Sequence, residues 1–346
     1  MLLSRDDFRR EVFKRDGNKC VVCGKPAQDA HHIVERRLFP DGGYYLDNGA
    51  SVCGEDHLRA ESTVLSCDEL RERCGIKTVV LPPHIYADMP IDKWGNYILP
   101  NGQRLKGELF HDESVQKIMK PVLHLFSDRV KYPRTHHLSF SPGVNDDDRI
   151  IESLDGFEGE EVVVTVKMDG EQTSIYRDGF HARSLDTPAH PSRDWLWGLH
   201  RRIGHDIPEG WRITGENLYA RHSIHYRRLP AHFMMFGIWN ERNENLSWND
   251  MVEWADLFEL APVVPLYRGP WHEQLIRALP QTYADGDEME GFVVRVTRKF
   301  HYGEHRKVVA KWVRADHIKS ADPHWMRRPV QPNLLSLRPK KTDAPS

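Results

Sequence analysis

The chain has 346 residues, five cysteines and a formal net charge of −3, with 48 Lys+Arg against 51 Asp+Glu. That length accommodates two or three domains, and the near balance of charge excludes a globally basic nucleic-acid coat while leaving room for local basic patches. No apolar stretch approaches membrane-spanning length and the first residues, Met1-Leu-Leu-Ser4-Arg5-Asp6-Asp7, meet charge at once, so neither a membrane partner nor a secretory leader is expected, and a reducing, cytoplasmic location suits the cysteines.

In chain order, Ser4 reads as the N-cap of a first helix that starts at Arg5. Next come Cys20-Val-Val-Cys23-Gly24, then Ala30-His31-His32-Ile33, then Asp47-Asn48-Gly49, and then Cys53-Gly-Glu-Asp56-His57. Cys20, Cys23 and Cys53, with Asp56 or His57 completing the set, have the spacing of a structural zinc site. A module of this size hardly stabilises itself by its own core, which gives zinc a folding role. Cys67 and Cys74 share one face of a helical segment and read as core cysteines. Residues 1–75 are thus one small module. Residues 76–115 read as a connector containing a hairpin that turns at Asn101-Gly102.

From about residue 116 to 320, short strand-like runs alternate with helices such as the one over 249–257, an α+β pattern of sheets packed around a cleft. Glu161-Val-Val-Val-Thr-Val-Lys167 is rich in strand formers and ends in Lys167-Met-Asp169-Gly170, which puts a lysine at a strand end before a turn. A lysine there is a candidate nucleophile, since burial or cationic neighbours lower its pKa. Each later run delivers one further group: Arg183 after Phe180-His-Ala, Glu216 after Thr214-Gly, Phe236 inside Phe233-Met-Met-Phe-Gly-Ile-Trp239, Glu290 before Gly291-Phe-Val-Val, and Lys311 in Val308-Val-Ala-Lys-Trp-Val. The tail over 321–346, rich in Pro, Lys and Arg, reads as loose.

The ordered set Lys-x-Asp-Gly, Arg, Gly-Glu, an aromatic strand, Glu-Gly and a late Lys resembles the covalent nucleotidyltransferases, and within them the ATP-dependent RNA ligases of the nick-sealing phage type. The resemblance implies a ligase adenylation domain of packed antiparallel sheets and helices over 116–320. With 35 residues after Lys311 in this sequence, the OB-fold that DNA ligases and capping enzymes carry there is not expected. It implies that Lys167 takes AMP from ATP, that Asp169, Arg183, Glu216 and Phe236 hold the nucleotide, and that Phe236 stacks on adenine. It also implies that Glu290 helps bind Mg2+ or Mn2+ and that Lys311 contacts the α-phosphate. A single carboxylate plus substrate phosphates is an adequate magnesium site, and cationic surroundings are expected to depress the pKa of Lys167. Phage-type ligases often carry two lysines two apart in the last motif. Here Val309 stands at that spacing from Lys311, so help from Arg314 or Lys307 is expected. RNA, nicked or broken, is the implied partner; oligomeric state is not readable.

The first 75 residues resemble an HNH, or ββα-metal, nuclease module. By that resemblance His32 would be the general base, with His31, Asn48 and His57 as contacts of a catalytic metal. Two functions of different class are therefore carried forward: an RNA ligase with an appended zinc module, or a metal-dependent nuclease whose nucleotidyltransferase domain only binds nucleotide or nucleic acid.

Overall fold

A computed structural model describes residues 2–85, 89–146, 148–185, 188–279, 289–315 and 329–336. It divides into two compact units, Met1–Val130 and Lys131–Ser346.

The first unit opens with α1 (Arg5–Arg15), where the Ser4 hydroxyl oxygen accepts from the Asp7 N–H at 3.2 Å, and acidic residues lead and basic residues close the helix, as its dipole favours. Phe8 and Val12 bury the inner face of α1 over a two-stranded antiparallel ribbon of β1 (Asp29–His32) and β2 (Gly49–Val52). Gly49 permits that approach, because a Cβ there would lie 2.4 Å from Val12 Cγ2. Two helices follow, α2 (Gly54–Glu61) and α3 (Cys67–Arg73). Cys67 is buried at the start of α3 and Cys74 is half-buried at its end. The hairpin is formed by β3 (Tyr97–Ile98) and β4 (Arg104–Leu105), with Gly102 at φ +81° in the turn, and α4 (Glu113–Ile118) completes the unit.

The stretch over 76–115, expected as a connector, falls inside the first unit and makes contacts back to the residues before it. Trp94 donates its indole N–H to the Glu61 carbonyl at 2.8 Å, and buried Arg104 donates to Asp92 at 3.0 Å and to the Thr63 carbonyl at 3.3 Å. Trp94 also packs with Phe110, Val115, Met119 and Val122 in a core of their own. Buried polar groups need partners: Asp92 finds Asn96 and Arg104 within the stretch, Trp94 and Arg104 reach back to Glu61 and Thr63, and the compact unit runs on to Val130.

The second unit is built from two sheets, whose central strands, Glu161–Lys167 and Gly291–Val296 in one and Arg212–Asn217 and Phe233–Trp239 in the other, are mostly buried on both faces. One sheet has the order β13 (Pro265–Pro270), β6 (Glu161–Lys167), β14 (Gly291–Val296), β16 (Val309–Val313), β5 (His136–His137). All its pairings are antiparallel except β16 with β5. The other runs β15 (Phe300–His301), β11 (Glu244–Asn245), β10 (Phe233–Trp239), β9 (Arg212–Asn217), β7 (Glu171–Tyr176), β8 (Gly179–Ala182), with β12 (Ala261–Pro262) beside β10. Helices α5 (Leu196–Ile203), α6 (Trp248–Leu257), α7 (Glu273–Arg277) and α8 (His305–Val308) complete it. Valines 162, 163, 164 and 166, Trp239 and Phe292 lie in one continuous core. This is the mixed α+β architecture expected. No helix of the described residues is long and apolar enough to cross a membrane.

Part of the tail departs from expectation. Residues 331–336 form an extended strap along 218–232: Asn333, 2% exposed, donates its side-chain N–H to the Leu218 carbonyl at 2.9 Å and accepts from the Tyr226 N–H at 2.9 Å. Backbone bonds from Arg221 to Gln331 and from Leu334 to Tyr226 continue the seam. A segment whose own amide satisfies buried backbone groups is not loose. Residues 321–328 and 337–346 of that tail lie outside the described residues.

Candidate functional site

A cleft of about 550 Å³ opens between the two sheets of the second unit, within the size range of small-molecule sites. Strand alternation decides which side chains enter it. Thr165 and Lys167 from β6, Val293 and Arg295 from β14, and Val309 and Lys311 from β16 line one wall, while Gln172, Ala182, Glu216, Phe236 and Asn245 line the other. Arg183, just past β8, lies at the rim. Of the expected nucleotide-site residues, Lys167, Arg183, Glu216, Phe236 and Lys311 therefore meet in one cavity. Arg134 and Arg295 join them there, whereas Arg314 and Lys307 do not line it.

Lys167 ends β6 opposite Gly291 of β14, so Glu290 falls beside it, and its Oε2 lies 2.5 Å from Lys167 Nζ. Gly291 is required, since a Cβ would meet the Trp312 carbonyl oxygen at 1.9 Å. Asp169 does not face the nucleotide space freely. Its backbone N–H donates to the Tyr226 hydroxyl at 2.9 Å, and its Oδ2 accepts from the Ser223 and Ile224 N–H groups at 2.8 and 2.7 Å. Asp169 thus fixes the turn that aims Lys167. The Gly170 N–H donates to Glu216 Oε1 at 3.2 Å, and a Cβ on Gly170 would lie 2.5 Å from the Asn217 carbonyl oxygen.

The charge state of Lys167 is the reverse of the expectation. Burial works to lower its pKa, but Glu290, Glu216 and Asp169 outweigh burial and hold it above the usual lysine value. Burial pushes the Glu216 carboxyl up to about 8, with Lys167 opposing and Glu290 and Asp169 reinforcing. Lys311 moves the other way: burial lowers its pKa, Asp148 opposes, and Lys167 adds to the lowering. Phe236 sits at an irregularity of β10, edge-on to Tyr132 at 5.4 Å, and its carbonyl accepts from Arg295 Nη1 at 3.2 Å.

In the first unit, Cys20, Cys23, Cys53 and Asp56 present four ligand atoms within 4.8 Å of one another. Cys20 Sγ and Cys53 Sγ lie 3.2 and 3.4 Å from Asp56 Oδ2, and Cys23 Sγ lies 3.6 Å from Cys53 Sγ. Three thiols and a carboxylate in this compass fit zinc, and Asp56, not His57, is the fourth group.

The other N-terminal set is only partly brought together. His31 and His32 are neighbours on β1 and so face opposite ways. His31 meets His57 edge-on at 5.3 Å, whereas His32 stacks on Phe8 at 4.5 Å and abuts Tyr44. Asn48 is consumed by structure, accepting from the Val34 N–H at 2.9 Å and donating to the Val34 and Gly43 carbonyls. In place of His32 and Asn48, Glu61 completes the cluster, its Oε1 3.4 Å from His31 Nδ1 and 3.2 Å from His57 Nε2. Sequence reading passed over Glu61, although its i+4 spacing from His57 on α2 is a one-face signal. Lys93 Nζ also reaches Glu61 Oε1 at 3.2 Å and Glu35 Oε2 at 3.3 Å, and donates to the His32 carbonyl at 3.0 Å. Burial, helped by Lys93, pushes His31 down to about 3.

Among solved structures, a Naegleria gruberi RNA ligase with PPi aligns at 15% identity and a TM-score of 0.39, covering 90% of this chain and 81% of that one. Mutants of a Naegleria gruberi RNA ligase solved with ATP and Mn or with AMP and Mn align at 17% and 16% identity and TM-scores of 0.35 and 0.34. In both cases the alignment covers 54% of this chain and 60% of that one, so this chain spans less than two thirds of their length. No curated protein matches the chain. Residues 160–313, the span that carries Lys167, Arg183, Glu216, Phe236, Glu290 and Lys311, match the family model for RNA ligase.

Proposed function

We propose that the chain is an ATP-dependent RNA ligase that works through a lysyl-AMP intermediate. The observation that carries this reading is the convergence of Lys167, Glu216, Phe236, Arg183 and Lys311 on one cleft, with Glu290 2.5 Å from the Lys167 amine. Lys167 Nζ attacks the α-phosphorus of ATP; the P–N bond forms as the bond to the pyrophosphate oxygen breaks. The amine must first lose its proton, which Glu290, Glu216 and Asp169 favour keeping there; Glu290 Oε2, 2.5 Å away, is placed to take it as the nucleotide enters. Lys311 and Arg183 meet phosphate charge, and Phe236 offers a face for adenine. Glu290 and Glu216 are hard oxygen donors suited to Mg2+ or Mn2+, which supplies neutralisation of phosphate charge when bound. The AMP then passes to a 5′-phosphate end of RNA, and a 3′-hydroxyl attacks that activated end, releasing AMP.

Zinc held by Cys20, Cys23, Cys53 and Asp56 gives the first unit a structural staple. Cleavage by that unit is not part of the reading, because His32 lies on the other face of β1 from His31 and His57, Asn48 is tied to backbone, and the Lys93 ammonium already stands against Glu61. The test is incubation with α-radiolabelled ATP and Mg2+, followed by denaturing electrophoresis and mapping of the label. A covalent adduct on Lys167 and sealing of a 5′-phosphorylated RNA are expected; absence of any adduct with Mg2+, and with Mn2+ in its place, rejects the reading.

A further inference from the structure

The Lys311 ammonium is held from behind. β5 runs parallel to β16 and places His137 in register with Lys311, so both side chains rise from the same face of the sheet. Asp148, on the loop that follows β5, bridges them. Its Oδ1 lies 3.3 Å from Lys311 Nζ and its Oδ2 lies 3.3 Å from His137 Nε2. His137 is 1% exposed, and its Nδ1 lies 2.8 Å from Ser141 Oγ. That oxygen already accepts from the Val313 N–H at 2.9 Å. The Ser141 hydroxyl lies 3.4 Å from the Val313 carbonyl, longer than its 2.8 Å approach to His137 Nδ1; when it donates to Nδ1, the ring proton is on Nε2, on the side of Asp148. The loop is also stitched to β5 through its backbone: the His137 N–H donates to the Arg149 carbonyl at 2.7 Å and the Ile151 N–H to the His137 carbonyl at 2.8 Å.

A carboxylate lining a cleft meant for a triphosphate repels the ligand, so electrostatics alone would select against it. A lone Lys311 creates a use for one. A flexible four-carbon stem costs rotamer entropy to hold in one place, and Val309 supplies no second ammonium at the spacing where phage-type ligases often carry one. We infer that Asp148, oriented by His137 and Ser141, is a positioning residue that holds the Lys311 ammonium in the cleft until it is exchanged onto the α-phosphate of the nucleotide. The inference rests on the ligase reading above.

The experiment is single-turnover formation of the lysyl-AMP adduct with radiolabelled ATP and Mg2+, with enzyme in excess, at varied ATP concentration. Asp148→Asn is expected to slow the chemical step about 10-fold with half-saturating ATP unchanged or lower, since a repulsive charge has gone while positioning is lost. His137→Ala should slow it similarly, and His137→Gln, which keeps a side-chain N–H donor, should recover part of the loss. In a Lys311→Ala background Asp148→Asn should change the residual rate by less than about 2-fold, because a group that acts only through Lys311 has nothing left to position. The inference is overturned by wild-type rates in Asp148→Asn, or by the same fold-loss with and without Lys311. A wild-type protein that forms no adduct would instead overturn the ligase reading itself.

Discussion

The two units crowd anions in different ways. In the first, Cys20, Cys23, Cys53 and Asp56 bring their ligand atoms within 4.8 Å of one another, and Arg59 pairs with the other oxygen of Asp56, Oδ1, at 2.8 Å. In the second, Glu290, Glu216 and Asp169 surround an ammonium that the chain itself supplies, Lys167. The first arrangement has room at its centre for an external ion, and on the proposed reading the second has to be opened before Lys167 can act. The His31, His57 and Glu61 cluster shows that the distinction is one of filling rather than of unit. It has metal-ligating residue types, yet Lys93 stands where positive charge is needed.

Lys167→Ala should produce the largest effect: complete loss of the radiolabelled adduct with no change in the circular dichroism spectrum, because alanine offers no amine to phosphorus. Retained labelling would show that the carboxylates around Lys167 enclose a structural lysine. Next in size, replacing Cys20 and Cys23 together with serine should take bound zinc from one per chain to none and destabilise the first unit by about 4 kcal/mol or more, followed by limited proteolysis. Adduct formation at Lys167 should survive, because the second unit has its own core.

Lys93→Met sharpens the comparison most directly. Removing the ammonium leaves Glu61 and Glu35 without it, at a cost of about 3 kcal/mol in metal-free conditions. Added Zn2+ or Ni2+ should then bind as a second equivalent and restore the thermal midpoint, whereas wild type should take up one. Equal stoichiometry in both proteins would show that Lys93 does not fill the cluster.

The last effect, visible only as a dependence on pH, concerns Glu216. Its carboxyl, pushed up to about 8 in the folded chain from an ordinary value of 4.5, contributes stability that is fully present below 4.5 and lost as pH rises through 8, because the unfolded chain releases the proton first. Without nucleotide or added Mg2+, the thermal midpoint of Glu216→Gln relative to wild type should therefore rise by up to about 10 °C between pH 5 and pH 9. A difference that does not vary with pH would place Glu216 in a more polar setting.

What could be read in the sequence was local or periodic. The valine run ending in Lys167-Met-Asp-Gly, the Ser4 cap, the Asn101-Gly102 turn and the Cys-x-x-Cys pair each carry their structure within a few residues. The contacts that escaped join residues far apart along the chain. Glu290 meets Lys167 across 123 positions, Asp148 meets Lys311 across 163, and Lys93 reaches the His32 carbonyl across 61. Nothing in the composition near Asp148 or Lys93 marks them, because a salt bridge needs only a charge at the right place in space. The expected depression of the Lys167 pKa failed for the same reason. It counted the cations of the motif set without the two glutamates and the aspartate that the sheets bring to the amine.

The strap over 331–336 has a kinetic consequence. Asp169 is fixed by Ser223, Ile224 and Tyr226, and Tyr226 is in turn fixed by Asn333, whose partner Leu218 lies 115 positions away. Closing so long a loop is entropically slow compared with forming the hairpin of β7 and β8. During refolding, burial of Trp239 should therefore precede the final setting of the turn that aims Lys167, and capacity to form the adduct should lag behind recovery of tryptophan fluorescence.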